Sequence, residues 1–318
     1  MRFTVESWDP AYGSSTDDTG LDPAKQTVDV SVEVPADAWA PIAPDPGGAP
    51  SSVLFIDGVR RIDTRVWIAE GELSRPGLCA TVAAGAVRCE AGSAVVEAVV
   101  VERGLYTAAD DASPIRTRTC GTYALRPVHG DDDPDLYLGV HNHMTHLEAL
   151  VSERAVNGGS TGCQLIVFDG PLRQRDDAIG VGYIKTQHVQ YLEDGLQQRT
   201  LAGLRAAQRT PLFAIGVGGR SPRWSWYLRL PGPVRHPLEG IVRLELPGIG
   251  DAETAAARAD AVSAALPRFA SEAHKEARAP QNLYPIAGLE QQLRRRLGHP
   301  HLLEKALREA SLTVAEIA

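Results

Sequence analysis

The chain has 318 residues, 43% of them apolar and 23% charged, an ordinary globular balance with length for about two average domains. No apolar run approaches the ~18 residues of a membrane-spanning helix, which excludes an integral helical membrane protein. The net charge of −8 argues against a nucleic-acid partner only until its distribution is seen: residues 1–50 hold nine acids and two bases, so the remainder of the chain is almost neutral.

Within that remainder, residues 171–230 carry nine bases and four acids, which makes a basic surface compatible with the total. The opening MRFTVESWDP has no apolar core behind Arg2, so no secretory signal is read there and a cytoplasmic address is expected. Cys79, Cys89, Cys120 and Cys163 lack CxxC spacing and read as reduced thiols.

Thr27 to Val34 alternates valine with polar residues, the period of a half-buried strand. Five prolines in residues 35–50 follow and favour an extended connector. Residues 1–50 therefore read as an acidic extension with one strand, and 51–318 as the main domain. From Ser51 to Gly104 short apolar segments (VLFID, IDTRVWIAE, LCATVAAG, AVRCE, AVVEAVVVERG) with glycine punctuation predict a meander of strands.

Residues 129–135, HGDDDPD, read as a loop. Residues 143–156 place Met144, Leu147, Leu150 and Val151 at helical spacing. CQLIVFDG at 163–170 predicts a buried strand, and further strands are expected at 180–185, 211–218, 224–230 and 241–247. A helix is expected over 192–208, another behind an Asp251 cap, and two more close the chain. Strands first, then alternating helices and strands, describe a mixed α/β sheet flanked by helices.

Chemistry could sit on three carboxylates. Asp57 follows the apolar run SVLFI and precedes Gly58, which reads either as a rigid strand-end acid or as an Asp-Gly hairpin turn. Asp169 in LIVFDG has the same form. Glu148 borders the apolar face of its helix, with Glu153 as its competitor. Paired strand-end carboxylates are what two-metal phosphodiester hydrolysis requires, with the cations roughly 3.5–4 Å apart.

The order strand-Asp, strands, helix-Glu, strand-Asp is that of the ribonuclease H-like fold. FIDGVRRID, LIVFDGPL, GYIKT, the Arg243-x-Glu245-x-Pro247 run and the late Leu283-Tyr284-Pro285 fall in the order of NurA nucleases, and the chain resembles that family over residues 51–298. The resemblance implies a Mn²⁺- or Mg²⁺-dependent deoxyribonuclease, dimeric, acting with a HerA-like hexameric ATPase in DNA end processing or defence. It makes Asp57, Glu148 and Asp169 metal ligands, Lys185 a lysine beside the phosphate, and Tyr284 a residue that orients water or stacks on a base.

The family histidine after the Tyr-Pro motif is missing. Leu293 stands near its place, leaving Glu290, the later His299 or fewer protein ligands to complete the metal site. DNA-binding residues are expected at Arg173, Arg175, Arg220 and Arg223, with Trp224 and Trp226 offering either stacking surface or core. Arg294 to Arg296 form a further basic run.

Two rival readings remain at this level. One is a weak or inactive NurA-like subunit that docks on the ATPase. The other is a zinc amidohydrolase begun by His141, His143 and His146; the more economical reading has those histidines open the Glu148 helix. The absence of GxxxxGK[ST] excludes P-loop nucleotide hydrolysis by this chain, and no GxSxG elbow suggests covalent catalysis.

Overall fold

The computed structural model describes residues 22–24, 26–158, 164–172, 180–187, 189–192, 195–217 and 222–315. It is a mixed α/β structure, with mostly antiparallel pairing in the strands flanked by helices. No helix among the described residues is long and apolar enough to cross a membrane.

In chain order, β1 is Asp22–Pro23 and β2 is Val28–Asp29. The alternating valines thus form only a two-residue strand, because Asp29 accepts hydrogen bonds from both the N–H (2.9 Å) and the hydroxyl (2.6 Å) of Ser31 and turns the chain there. Val30 and Val34 still pack on the core, and Trp39 donates its indole N–H to the Val30 carbonyl at 2.7 Å.

The meander is built of longer strands than the sequence predicts. β3 runs unbroken from Ser52 to Glu70, β4 from Leu73 to Glu90 and β5 from Ser93 to Thr107. The β4–β5 turn places Ala91 and Gly92 at φ of 48° and 79°, the left-handed pair that a tight hairpin needs. Asp57-Gly58 therefore neither ends a strand nor makes a turn.

β6 (Ile115–Thr117) and β7 (Gly121–Pro127) precede α1, which spans Asp133–Gly158 and begins ten residues before the predicted helix. Asp132 starts it by accepting the Asp135 N–H at 3.0 Å, so the acidic loop is in fact a cap and first turn. β8 is Leu165–Asp169, β9 Gly180–Ile184 and β10 Val189–Gln190. The helix expected over 192–208 shrinks to α2, Leu196–Ala202, bounded by Gly195 and Gly203. β11 (Phe213–Ile215), β12 (Arg223–Arg229) and β13 (Ile241–Pro247) follow. α3 (Ala252–Ala265) carries the predicted cap, Asp251 accepting from Thr254 N–H at 2.7 Å. α4 is Tyr284–Arg296 and α5 Pro300–Ala315.

The chain divides into two compact units. The first comprises residues 1–55, 88–94 and 161–287, and the second 56–87, 95–160 and 288–318. In the first unit β2, β11, β12, β13, β9 and β8 are neighbours in that order. β8 and β9 run parallel, while β9, β13, β12 and β11 pair antiparallel. Its core gathers Trp39, Leu192, Leu201, Phe213 and Tyr227. The described part of the N-terminal segment is built into it: Glu33 holds the buried Arg209 guanidinium through both carboxylate oxygens (2.9 and 2.7 Å), and Asp260 takes its Nε at 2.6 Å.

In the second unit β3, β4, β5, β7 and β6 are neighbours in that order, with β5 and β7 parallel. Cys79, Leu105, Tyr123 and Leu307 form one of its apolar clusters. A buried carboxylate organises the same unit. Asp63 accepts from Arg61 (3.0 Å), Thr81 (2.5 Å) and Tyr123 (2.9 Å), while Arg61 also donates to the carbonyls of Leu297 and Gly298 past the end of α4.

Candidate active site

In the second unit Glu148 lies on the face of α1 that covers Gly58 of β3. A Cβ at Gly58 would stand 2.6 Å from Glu148 Oε1 and 2.7 Å from Met144 Cγ, so glycine is what lets the carboxylate approach the strand. Asp57 is the preceding strand residue, and its Oδ1 turns along the backbone to accept the Gly58 N–H at 2.8 Å. Both acids are buried, Asp57 at 6% and Glu148 at 8% exposure, a burial unusual for carboxylates and common where function requires them. Glu153, the competitor, is exposed on the same helix.

In the first unit Asp169 closes β8, and Gly170 turns the chain at φ 106°. Lys185, directly after β9, donates to Asp169 Oδ2 at 2.6 Å and to Asn282 Oδ1 at 3.0 Å. Arg243 and Glu245, alternate residues of β13, form a buried pair at 2.9 Å, and Glu245 Oε1 accepts the Leu172 N–H at 2.6 Å. The Arg-x-Glu motif thereby anchors the loop that leaves Asp169. Gly182 leaves room for this contact, since a Cβ there would meet Glu245 Cγ at 2.8 Å. Tyr183 is fully buried and donates to the Gln281 carbonyl at 2.6 Å; burial, then the nearby Asp169 charge, push its hydroxyl well above the ordinary tyrosine value.

These groups border a cleft of about 490 Å³ lined by Asp169, Gly170, Tyr183, Lys185, Gln187 and Tyr191, among others. Gln187 and Asn282 were not singled out from the sequence, because nothing in their spacing sets an isolated amide apart from any other.

The remaining expected site residues fall less simply. Tyr284 opens α4, half-exposed, with its hydroxyl engaged by Glu272: it accepts the backbone N–H at 3.2 Å and faces Oε2 at 3.4 Å. Glu290 pairs with Arg294 one turn along α4, at 2.8 Å. Leu293 is buried, His299 is exposed beside His301, and Arg294 to Arg296 are exposed. Arg223 is the half-buried first residue of β12; Arg173, Arg175 and Arg220 lie outside the described residues, as does Cys163. Trp226 is core, wholly buried with its N–H on Ser263 Oγ at 2.9 Å, so stacking on DNA is not its role.

The zinc reading of the histidines is overturned. His141, His143 and His146 sit inside α1 and do not open it. His143 is buried with Nδ1 on the Tyr106 hydroxyl (2.6 Å) and Nε2 on Glu102 (3.0 Å). Among the described residues no group of three or more histidine, cysteine, aspartate or glutamate side chains could hold a metal ion.

No protein-family model and no curated protein matches the chain. Among solved structures it is similar to the NurA nuclease from Sulfolobus solfataricus, at 13% sequence identity and a TM-score of 0.47, with 85% of this chain and 88% of that chain covered.

Proposed function

We propose that the chain is a metal-dependent nuclease that hydrolyses DNA phosphodiesters. The observation that carries the reading is the buried carboxylate of Glu148 seated over Gly58, one residue from the buried Asp57. Two carboxylates suit a hard divalent cation, which is commonly held by one or two acids with water and substrate phosphate completing its shell. That donor set is compatible with the lack of a larger ligand cluster among the described residues.

In this reading Asp57 and Glu148 would hold Mn²⁺ or Mg²⁺, while Asp169 is engaged by Lys185 within its own unit. A cation held by Asp57 and Glu148 would supply an activated water and charge stabilisation at the phosphate. Lys185, a cation anchored by Asp169 and Asn282, neutralises charge developing on the phosphoryl oxygens. Tyr183 stays protonated and holds the Gln281 backbone, beside Asn282. Tyr284, already engaged by Glu272, is given no proton-transfer step, and Glu290, paired with Arg294, is an accessory ligand at most. A ribonuclease H-like fold, a HerA-like hexameric ATPase and a second copy of the chain as partners complete the proposal.

The 2.6 Å Lys185–Asp169 pair favours one second reading, in which that carboxylate is neutralised from within and the chain is a docking subunit without catalysis. Manganese titration separates the two. The nuclease reading expects Mn²⁺ binding that is lost in Asp57→Asn and Glu148→Gln; equal binding by wild type and both variants, or none by any, leaves the docking subunit.

A further inference from the structure

We infer that the cleft beside Asp169 is a nucleoside pocket in which the side-chain amide of Gln187 recognises the base of the nucleotide being cut. The inference takes its ligand class from the nuclease reading and adds the pocket, the residue and the contact. Three observations carry it.

The first is the amide itself. Gln187 is only 6% exposed and lines the cleft, yet its Nε2 has no hydrogen-bond partner among the described residues. A buried N–H₂ left unsatisfied costs about 1–3 kcal/mol, so such groups are ordinarily paired, and one carried by a residue that lines a cleft is available to a ligand acceptor once the side chain turns toward it.

The second is the chemistry along the wall. Lys185, two residues before Gln187, brings a positive charge suited to a phosphate. Val189 and Tyr191 give the same cleft apolar lining, and the Arg243 guanidinium lies 4.7 Å over the Tyr191 ring. A cation, a buried amide donor and an apolar wall match the phosphate, the base edge and the base body of one nucleotide. Every nucleobase offers a carbonyl oxygen or ring nitrogen as acceptor, so the contact selects for a base without selecting which one.

The third is size and rigidity. The volume of about 490 Å³ falls within the roughly 300–1,000 Å³ of small-ligand sites. Tyr183 and Ile184 of β9 and Arg243 of β13 form part of its wall, and the ion pair with Glu245 holds the Arg243 side chain in place.

The test is calorimetric titration of the full chain in EDTA with deoxynucleoside 5′-monophosphates and with 2-deoxyribose 5-phosphate, for wild type, Gln187→Met and Gln187→Glu. Methionine keeps the shape and removes the donor; glutamate keeps the shape and substitutes an acceptor. Thermal melting of each variant confirms folding before titration. The expected result is monophosphate binding by wild type that weakens about tenfold in both variants, with the weaker binding of the sugar phosphate unchanged in Gln187→Met. No monophosphate binding by wild type, or binding equal to that of the sugar phosphate, overturns the pocket; so does monophosphate binding that both variants retain. Because no cleavage is read, failure of the nuclease reading shows separately: Gln187-dependent binding without DNA cleavage would keep the pocket and remove the nuclease.

Discussion

Gly58 and Glu148 are mutually dependent: an added methyl at Gly58 would stand 2.6 Å from the glutamate Oε1, so the carboxylate occupies its place only because the strand residue has no side chain. The neighbouring Asp57 and the continuous backbone of β3 fix the strand side of this arrangement, and α1 fixes the other.

Gly58→Ala is therefore a probe of the site. Gly58 is not among the glycines at positive φ, so the cost is steric, and displacement of Glu148 and Met144 is expected to destabilise the protein by about 1–3 kcal/mol. Cleavage should fall by more than the folded fraction does, which differential scanning calorimetry paired with a nuclease assay would read. Unchanged activity per folded molecule would detach Glu148 from the chemistry.

The Arg243–Glu245 pair should show strong coupling. Glu245→Gln leaves the buried Arg243 without its counter-charge and is expected to cost about 3–5 kcal/mol. Arg243→Met with Glu245→Gln should cost less than the two single changes together, because neither charge is then stranded. Urea unfolding of the four proteins measures the coupling, and strict additivity would contradict the ion-pair account.

His143 makes acid stability predictable in sign. Burial, then the Arg126 charge, lower its pKa below the ordinary 6.5, although Glu102 opposes them. A lowered folded value means that the unfolded chain binds the proton more readily. The contribution of this group is fully present above about pH 6.5 and is lost as pH falls through the folded value. His143→Gln can still accept from Tyr106 and donate to Glu102, so its urea midpoint should fall less steeply than that of wild type between about pH 7 and 5. Parallel profiles would assign the acid limb to other groups.

Asp63 should prove structural. It gathers Arg61, Thr81 and Tyr123, and Asp63→Ala leaves two buried hydroxyls without their acceptor and Arg61 without its counter-charge, with an expected loss of about 3–5 kcal/mol. Divalent-ion binding by the protein that remains folded should be unchanged, as titration with Mn²⁺ would verify; lost binding would move Asp63 into the metal site.

What the sequence disclosed, and what it concealed, follows from the range of the interactions. β13 matches its predicted span, and Asp251 caps α3, because a short run of alternating apolar residues and an Asp cap are decided by near neighbours. Asp169-Gly170 likewise ends its strand as expected. Asp57-Gly58 carries the same dipeptide but lies within a strand, since the reason for that glycine is a glutamate on a helix far along the chain. The valines of 27–34 keep their burial without their strand, because a side-chain turn at Asp29 competes with pairing. α1 begins early because Leu136 and Val140 extend the face of Met144, Leu147 and Val151 two turns back to the Asp132 cap, a continuation masked by reading the acidic run 129–135 as a loop. The unpartnered amide of Gln187 has no sequence signature, because its meaning comes from burial and from the cleft.

Digestion of end-labelled linear DNA with Mn²⁺, Mg²⁺ or EDTA, by wild type and by Asp57→Asn, Glu148→Gln and Asp169→Asn, tests the central claim most directly. The account predicts cleavage by wild type that requires a divalent cation and falls at least about a hundredfold in each variant, whose melting temperatures stay near that of wild type. Cleavage that persists in EDTA or in the Glu148→Gln protein, or no cleavage by wild type even with a HerA-like ATPase and ATP present, would contradict it.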